Sequence, residues 1–103
     1  MGDMVKVAEA TDLPAGKAML VDVGGQQVAL FNVDGQYHAI GNSCTHVGGS
    51  LSEGSLEGTT VTCPLHRASF DVTSGQVLSP PAAAAVPCYK VEVDGNDIRI
   101  EAP

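Results

Sequence analysis

The sequence predicts an all-β fold, with an antiparallel β-sandwich base built from both ends of the chain and a smaller insert between them. Three observations carry this. Short runs of Val, Ile, Leu and Thr recur along the chain, and such side chains fit a pleated, half-buried surface. Gly24-Gly25, Asp34-Gly35 and Asp94-Gly95 separate several of those runs, and these pairs suit tight β-hairpin turns. The one run able to propagate a helix, Ala82 to Ala85, follows Pro80-Pro81 and precedes Pro87, which leaves no stable helix.

Taken in order, Val5 to Ala8 is the first strand, and Thr11 to Gly16 is a loop punctuated by Pro14 and Gly16. Lys17 to Val23, Gln26 to Val33 and Gln36 to Ile40 follow, joined by Gly24-Gly25 and Asp34-Gly35 as an antiparallel meander. Residues 41–58 are rich in Ser, Gly, Asn and Glu and read as a loop. Thr59 to Thr62 is a strand that runs into Cys63. Ser69 to Val72 and Gln76 to Leu78 flank a turn at Thr73-Ser74-Gly75, and Ser79 to Ala85 reads as an extended loop. Cys88 to Val93 and Asp97 to Glu101 close the chain as a hairpin over Asp94-Gly95-Asn96. The base is then 1–41 and 73–103 and the insert is 42–72, within one domain of 103 residues and without an internal repeat.

Aromatic residues make up 4% of the chain and Trp is absent, so the core must be aliphatic. Burial in so short a chain is marginal, and a metal centre would stabilise it. The net charge of −7 argues against nucleic-acid binding, which needs Lys and Arg on phosphates. It favours a soluble protein steered towards a positively charged partner. No apolar run approaches the roughly 20 residues of a membrane span. The start, Met1-Gly2-Asp3-Met4-Val5, lacks the basic and apolar regions of a secretory signal, and Lys6 breaks a myristoylation motif. Three cysteines suit reduced thiols in the cytoplasm better than a disulfide framework.

Chemistry concentrates in two short clips, Cys44-Thr45-His46 and, after sixteen intervening residues, Cys63-Pro64-Leu65-His66. They hold four of the six His and Cys residues in the chain, two of each type. Soft thiolates select iron–sulfur clusters, zinc or cuprous copper, and imidazole suits iron and zinc. Zinc accepts two Cys and two His tetrahedrally, but its usual spacing pairs like with like. Here each clip is mixed, which suits two loops pinching a binuclear cluster, each giving one ligand to each iron.

The clips resemble those of the Rieske iron–sulfur proteins, in which two histidines replace two cysteines on one iron of a [2Fe–2S] cluster. Val28 to Gly35, Phe70 to Gly75 and Val86 to Val91 are similar to the family's strand–turn segments around the clips. The resemblance implies a Rieske-like fold whose insert binds one [2Fe–2S] cluster. It assigns Cys44 and Cys63 to an inner iron and His46 and His66 to an outer iron near the surface. Neutral imidazoles make the centre formally neutral, which eases reduction and places the family at roughly −150 to +300 mV. High-potential members carry a disulfide at positions that are Gly49 and Leu65 here, and Ser and Tyr donors at positions that are Ala68 and Phe70 here. Losing donors to sulfur lowers the potential, so a low-potential centre below about +150 mV is expected.

By the same resemblance, Ser79-Pro80-Pro81 is the family's proline loop over the cluster, or else an ordinary surface connection. Val47 and Leu65 shield the cluster. Arg67 docks a partner, tunes His66 or is plain surface. Cys88 reads as a small buried hydrophobe, and His38 as an exposed or edge residue.

The function implied is a soluble one-electron carrier. It resembles the Rieske ferredoxin component of bacterial ring-hydroxylating oxygenase systems of aromatic hydrocarbon catabolism. Such a component is not itself an enzyme. Its partners are a flavin-dependent ferredoxin reductase and a terminal oxygenase, which a monomer docks transiently, with no nucleic acid and no membrane involved. No Gly-rich nucleotide loop and no paired nucleophile and base is present, and only His38 remains for a mononuclear iron site. Two alternatives stay open: a small Rieske subunit of a larger oxidoreductase such as nitrite reductase, and a zinc-stabilised binding module.

Overall fold

The computed structural model describes residues 3–42, 50–63, 69–79 and 85–102. The described residues form β1 (Met4–Glu9), β2 (Ala18–Val23), β3 (Gln26–Val33), β4 (Gln36–Gly41), β5 (Ser55–Glu57), β6 (Thr60–Thr62), β7 (Ser69–Asp71), β8 (Val77–Ser79), β9 (Cys88–Tyr89), β10 (Val91–Asp94) and β11 (Asp97–Glu101). Every strand pair is antiparallel. Three sheets result, in the orders β1-β11-β10, β2-β3-β4-β9 and β5-β6-β7-β8. The all-β expectation holds, as do the meander and its two tight turns, where Val23 pairs with Gln26 and Val33 with Gln36.

The second sheet is the middle layer. On one face Val21, Val23, Val28, Leu30 and Ala39 pack with Ala8, Ile98 and Ile100 of the first sheet and with Leu13. On the other, Ala29, Phe31 and Ile40 pack with Val61, Phe70 and Val72, and with Leu51, Cys63 and Val86. Alternate residues of a strand point to opposite faces, so β3 serves both layers. That is why Val28-Ala29-Leu30-Phe31-Asn32 is buried without interruption. Asn32 is the polar member of that run. Its Nδ2 donates to the Leu13 carbonyl at 2.8 Å and its Oδ1 accepts from the Gly35 N–H at 2.8 Å, which ties the Asp34-Gly35 turn to the strand.

Three segments differ from the sequence reading. The loop after β1 opens with a 3₁₀ turn, Ala10–Asp12, because the Asp12 carboxylate accepts from the Glu9 N–H and Asn96 holds the N–H groups of Ala10 and Thr11. Within 41–58, read as loop throughout, Leu51–Glu53 is a 3₁₀ turn and β5 is a strand. Ser-Leu-Glu lacks the β-branched signature, and β5 exists by pairing with β6. Finally, Cys88 to Val93 is not one strand. β9 pairs with β4 in the middle sheet, and after Lys90 the chain enters β10 beside β11. The closing hairpin is kept, as β10 and β11 paired from Val91–Ile100 to Asp94–Asp97, but its first strand is shorter than expected because Cys88 and Tyr89 belong to the middle sheet. β8 joins the third sheet through β7, so that sheet continues to Ser79.

Candidate metal centre

Of the four predicted ligands, Cys63 lies among the described residues; Cys44, His46 and His66 lie outside them, as do Gly49, Val47, Leu65, Arg67, Ala68, Pro80 and Pro81. Cys63 follows β6 and is 1% exposed. Leu51, Val61, Phe70, Val72 and Val86 share its packed cluster. β6 and β7 are adjacent antiparallel strands with Thr62 opposite Ser69. Their hydroxyls lie 3.5 Å apart, closing the stem of the 63–68 connection. Among the described residues no three His, Cys, Asp or Glu side chains come together as a metal site.

The stem of the first connection, 43–49, is closed by Asn42, which is 3% exposed. Its backbone N–H donates to the Gln27 carbonyl at 3.2 Å and its carbonyl accepts from the Leu51 N–H at 2.8 Å. Its side-chain Oδ1 accepts from the Ser52 N–H at 2.9 Å, and its Nδ2 donates to Ser50 Oγ at 3.0 Å. Ser50 Oγ in turn lies 3.0 Å from Ser52 Oγ. The sequence reading missed Asn42, Ser50 and Ser52. The available signal was an Asn at the mouth of a Ser- and Gly-rich loop, where its side chain can bond nearby backbone.

The two stems are neighbours. Gly54 ends the 3₁₀ turn that follows Ser50, and its Cα lies against the Thr62 carbonyl so closely that a Cβ would collide with it. The stem of 80–84 is held too. Val86 N–H donates to the Gly75 carbonyl at 2.9 Å, and the Pro87 carbonyl accepts from the Gly41 N–H at 2.8 Å. Gly75 is left-handed, at φ 79°, and a Cβ there would strike the Val86 carbonyl.

Electrostatics divide the molecule. Among the described residues, ion pairs sit on or beside the first sheet: Lys6 with Asp97 at 3.1 Å, Arg99 with Asp94 and Asp97, and Lys90 with Glu92. Glu53 and Glu57, near and in the third sheet, are exposed and lie outside these pairs. Asp71, at the end of β7, has its carboxyl held below the usual range by the Thr73 hydroxyl at 2.6 Å and the Thr73 N–H at 2.8 Å. Cys88 is exposed rather than a buried hydrophobe. Only two residues of β9 pair with β4, so it forms a short edge, and its thiol reaches the Thr73 carbonyl at 3.4 Å. Partial desolvation, then the nearby Asp71 charge, pushes that thiol's pKa up, which suppresses the reactive thiolate. His38 is half-buried on β4.

A dry thiol at the end of a strand, beside a second pinned loop stem, fits a thiolate-held cluster with a water-excluding shell. Comparison with known families matches residues 3–90 to the Rieske [2Fe-2S] domain. The chain belongs to that family. It is 45% identical over 93 residues to the 3-phenylpropionate/cinnamic acid dioxygenase ferredoxin subunit of Shigella boydii, covering 89% of this chain and 87% of that one. The ferredoxin of carbazole 1,9a-dioxygenase from Nocardioides aromaticivorans superposes with a TM-score of 0.94 at 31% identity, covering 97% and 98% of the two chains. The ferredoxin in a complex of reduced oxygenase and oxidized ferredoxin of carbazole 1,9a-dioxygenase superposes at 0.89 with 33% identity, over 95% and 92%. The cofactor is therefore one Rieske [2Fe–2S] cluster, and the protein is an electron-transfer component of ferredoxin type, not a catalyst. The zinc-module alternative falls with that assignment. No helix among the described residues is long and apolar enough to cross a membrane.

Proposed function

We propose that Cys44, Cys63, His46 and His66 hold the cluster, and that residues 1–103 work as a single Rieske domain. In this reading the protein is cytoplasmic, monomeric and of low potential. It takes electrons from a flavin-dependent ferredoxin reductase and passes them to a terminal ring-hydroxylating oxygenase. The observation that carries this is the 45% identity to dioxygenase ferredoxin subunits over nearly the whole of both chains. When bound, the cluster supplies one-electron chemistry. Cys63 contributes a thiolate from a site closed to water. Exposed Glu53 and Glu57, away from the ion pairs of the first sheet, add to an acidic chain that suits brief, salt-sensitive docking to a basic partner. Absence of Tyr hydroxyl at buried Phe70 supports the low potential.

The test is iron and sulfide analysis with low-temperature electron paramagnetic resonance of the dithionite-reduced protein. Two irons and a rhombic signal of low average g are expected, and His46→Ala and His66→Ala should each abolish that signal. Colourless protein with one metal per chain, or histidine variants with an unchanged chromophore, would overturn the ligand assignment. Gel filtration of the native protein distinguishes a carrier, which elutes as a monomer, from a permanent subunit.

A further inference from the structure

We propose that Asn42 is a positioning residue for the cluster, acting by clasping the two ends of the loop that carries Cys44 and His46. The inference rests on the ligand assignment proposed above. Its basis is the arrangement at the loop stem. Asn42 and Ser50 bracket residues 43–49, and one side chain bonds across that gap twice, to Ser50 Oγ and to the Ser52 N–H. The backbone closes the same gap through Leu51 N–H and the Asn42 carbonyl at 2.8 Å. Gln27 of the middle sheet holds Asn42 from behind, and Leu51, fully buried, anchors the far end in the cluster of side chains that contains Cys63.

Each group of the amide has a partner. Oδ1 lies within reach of both Ser52 N–H and Ser50 Oγ, at 2.9 and 3.2 Å, and Nδ2 reaches Ser50 Oγ at 3.0 Å. Asn42 is buried while Ser50 and Ser52 are half-buried beside it, so water replaces these bonds only in part when the amide is removed. A pinned stem limits the shapes open to the loop and lowers the entropy lost when its ligands bind metal. Partners that orient ligands from behind commonly change metal affinity by about 10- to 100-fold when removed.

A built-in control exists. Asn32 is the other buried asparagine, 4% exposed, and its side chain also bonds across the chain, to Leu13 and Gly35. It holds a turn of the middle sheet rather than a loop with ligands. Loss of the visible chromophore should therefore be followed after mixing holoprotein with excess chelator, for wild type, Asn42→Ala, Asn32→Ala and Ser50→Ala. Asn42→Ala should lose the cluster about tenfold faster than wild type, with broadened g-values in the reduced protein. Ser50→Ala should fall between, because Oδ1 keeps the Ser52 N–H. Asn32→Ala should lower the melting temperature while leaving the decay rate and g-values as in wild type.

Equal decay in Asn42→Ala and Asn32→Ala would overturn the proposal, because any buried asparagine would then serve. If Asn42→Ala yields no holoprotein, Ser50→Ala decides: decay at the wild-type rate overturns the clasp, and faster decay with an unchanged melting temperature sustains it. A wild-type protein without two irons and sulfide is a different result. It removes the ligand assignment itself, before the clasp is reached.

Discussion

Replacing Gly75 with Ala probes the join between the β7–β8 turn and the segment after residue 84. Gly75 sits at φ 79°, accepts a hydrogen bond from Val86 N–H at 2.9 Å, and lies so close to the Val86 carbonyl that a Cβ must displace it. Two costs add. A left-handed backbone costs an L-residue about 1–2 kcal/mol. Forcing a methyl into a filled space costs about 1–3 kcal/mol more. Gly25 isolates the first cost, for it has φ 85° and open space where its Cβ would lie. The difference between Gly75→Ala and Gly25→Ala is thus about 2 kcal/mol, or roughly 8–16 °C in melting temperature for a chain of this size. Holoproteins melted side by side in a calorimeter give the comparison. If the two variants melt within about 4 °C of each other, which corresponds to some 1 kcal/mol, the collision with Val86 is absorbed without cost and the reasoning is wrong.

Two further outcomes are expected. Phe70→Tyr places a hydroxyl in the packed cluster of Cys63; a bond to sulfur stronger in the reduced state by about 1–2 kcal/mol raises the midpoint by roughly 40–90 mV for one electron, and a redox titration with an unchanged or lower midpoint contradicts this. Asp71 is held below its ordinary value of 3.8, first by the Thr73 hydroxyl and then by the Thr73 N–H. Because the folded pKa is depressed, its contribution to stability is full above the unfolded value and is lost as pH falls through the folded one. Thr73→Val should narrow the loss of melting temperature below pH 4, and equal acid sensitivity in both proteins would exclude that role.

Much of the fold was legible because its signals are local. Gly24-Gly25 and Asp34-Gly35 mark two-residue turns, and the strands on either side fall within a residue of expectation. What escaped depends on partners distant in sequence. Nothing in Ser55-Leu56-Glu57 announces a strand until Thr60-Val61-Thr62 lies beside it. The break at Lys90 arises because Tyr89 pairs with Ala39 while Val91 pairs with Ile100. The same holds at the site. Cys63 was evident from its spacing to His66, whereas Asn42 matters through Ser50 and Ser52, eight and ten residues on, and a single sequence does not display that pairing. Cys88 misled because a cysteine at a strand start is usually enclosed, and here the strand has only two rungs.

The double duty of β3 has a practical consequence. Phe31 and Leu30 are consecutive residues wedged into opposite layers, so neither outer sheet can peel away without uncovering a face of the strand that supports the other. Amide exchange in β1, β10 and β11 should then slow when iron and sulfide are incorporated, although those strands belong to the layer on the opposite side of the middle sheet from Cys63. Occupancy of the centre could be followed from the far side of the molecule by deuterium uptake alone.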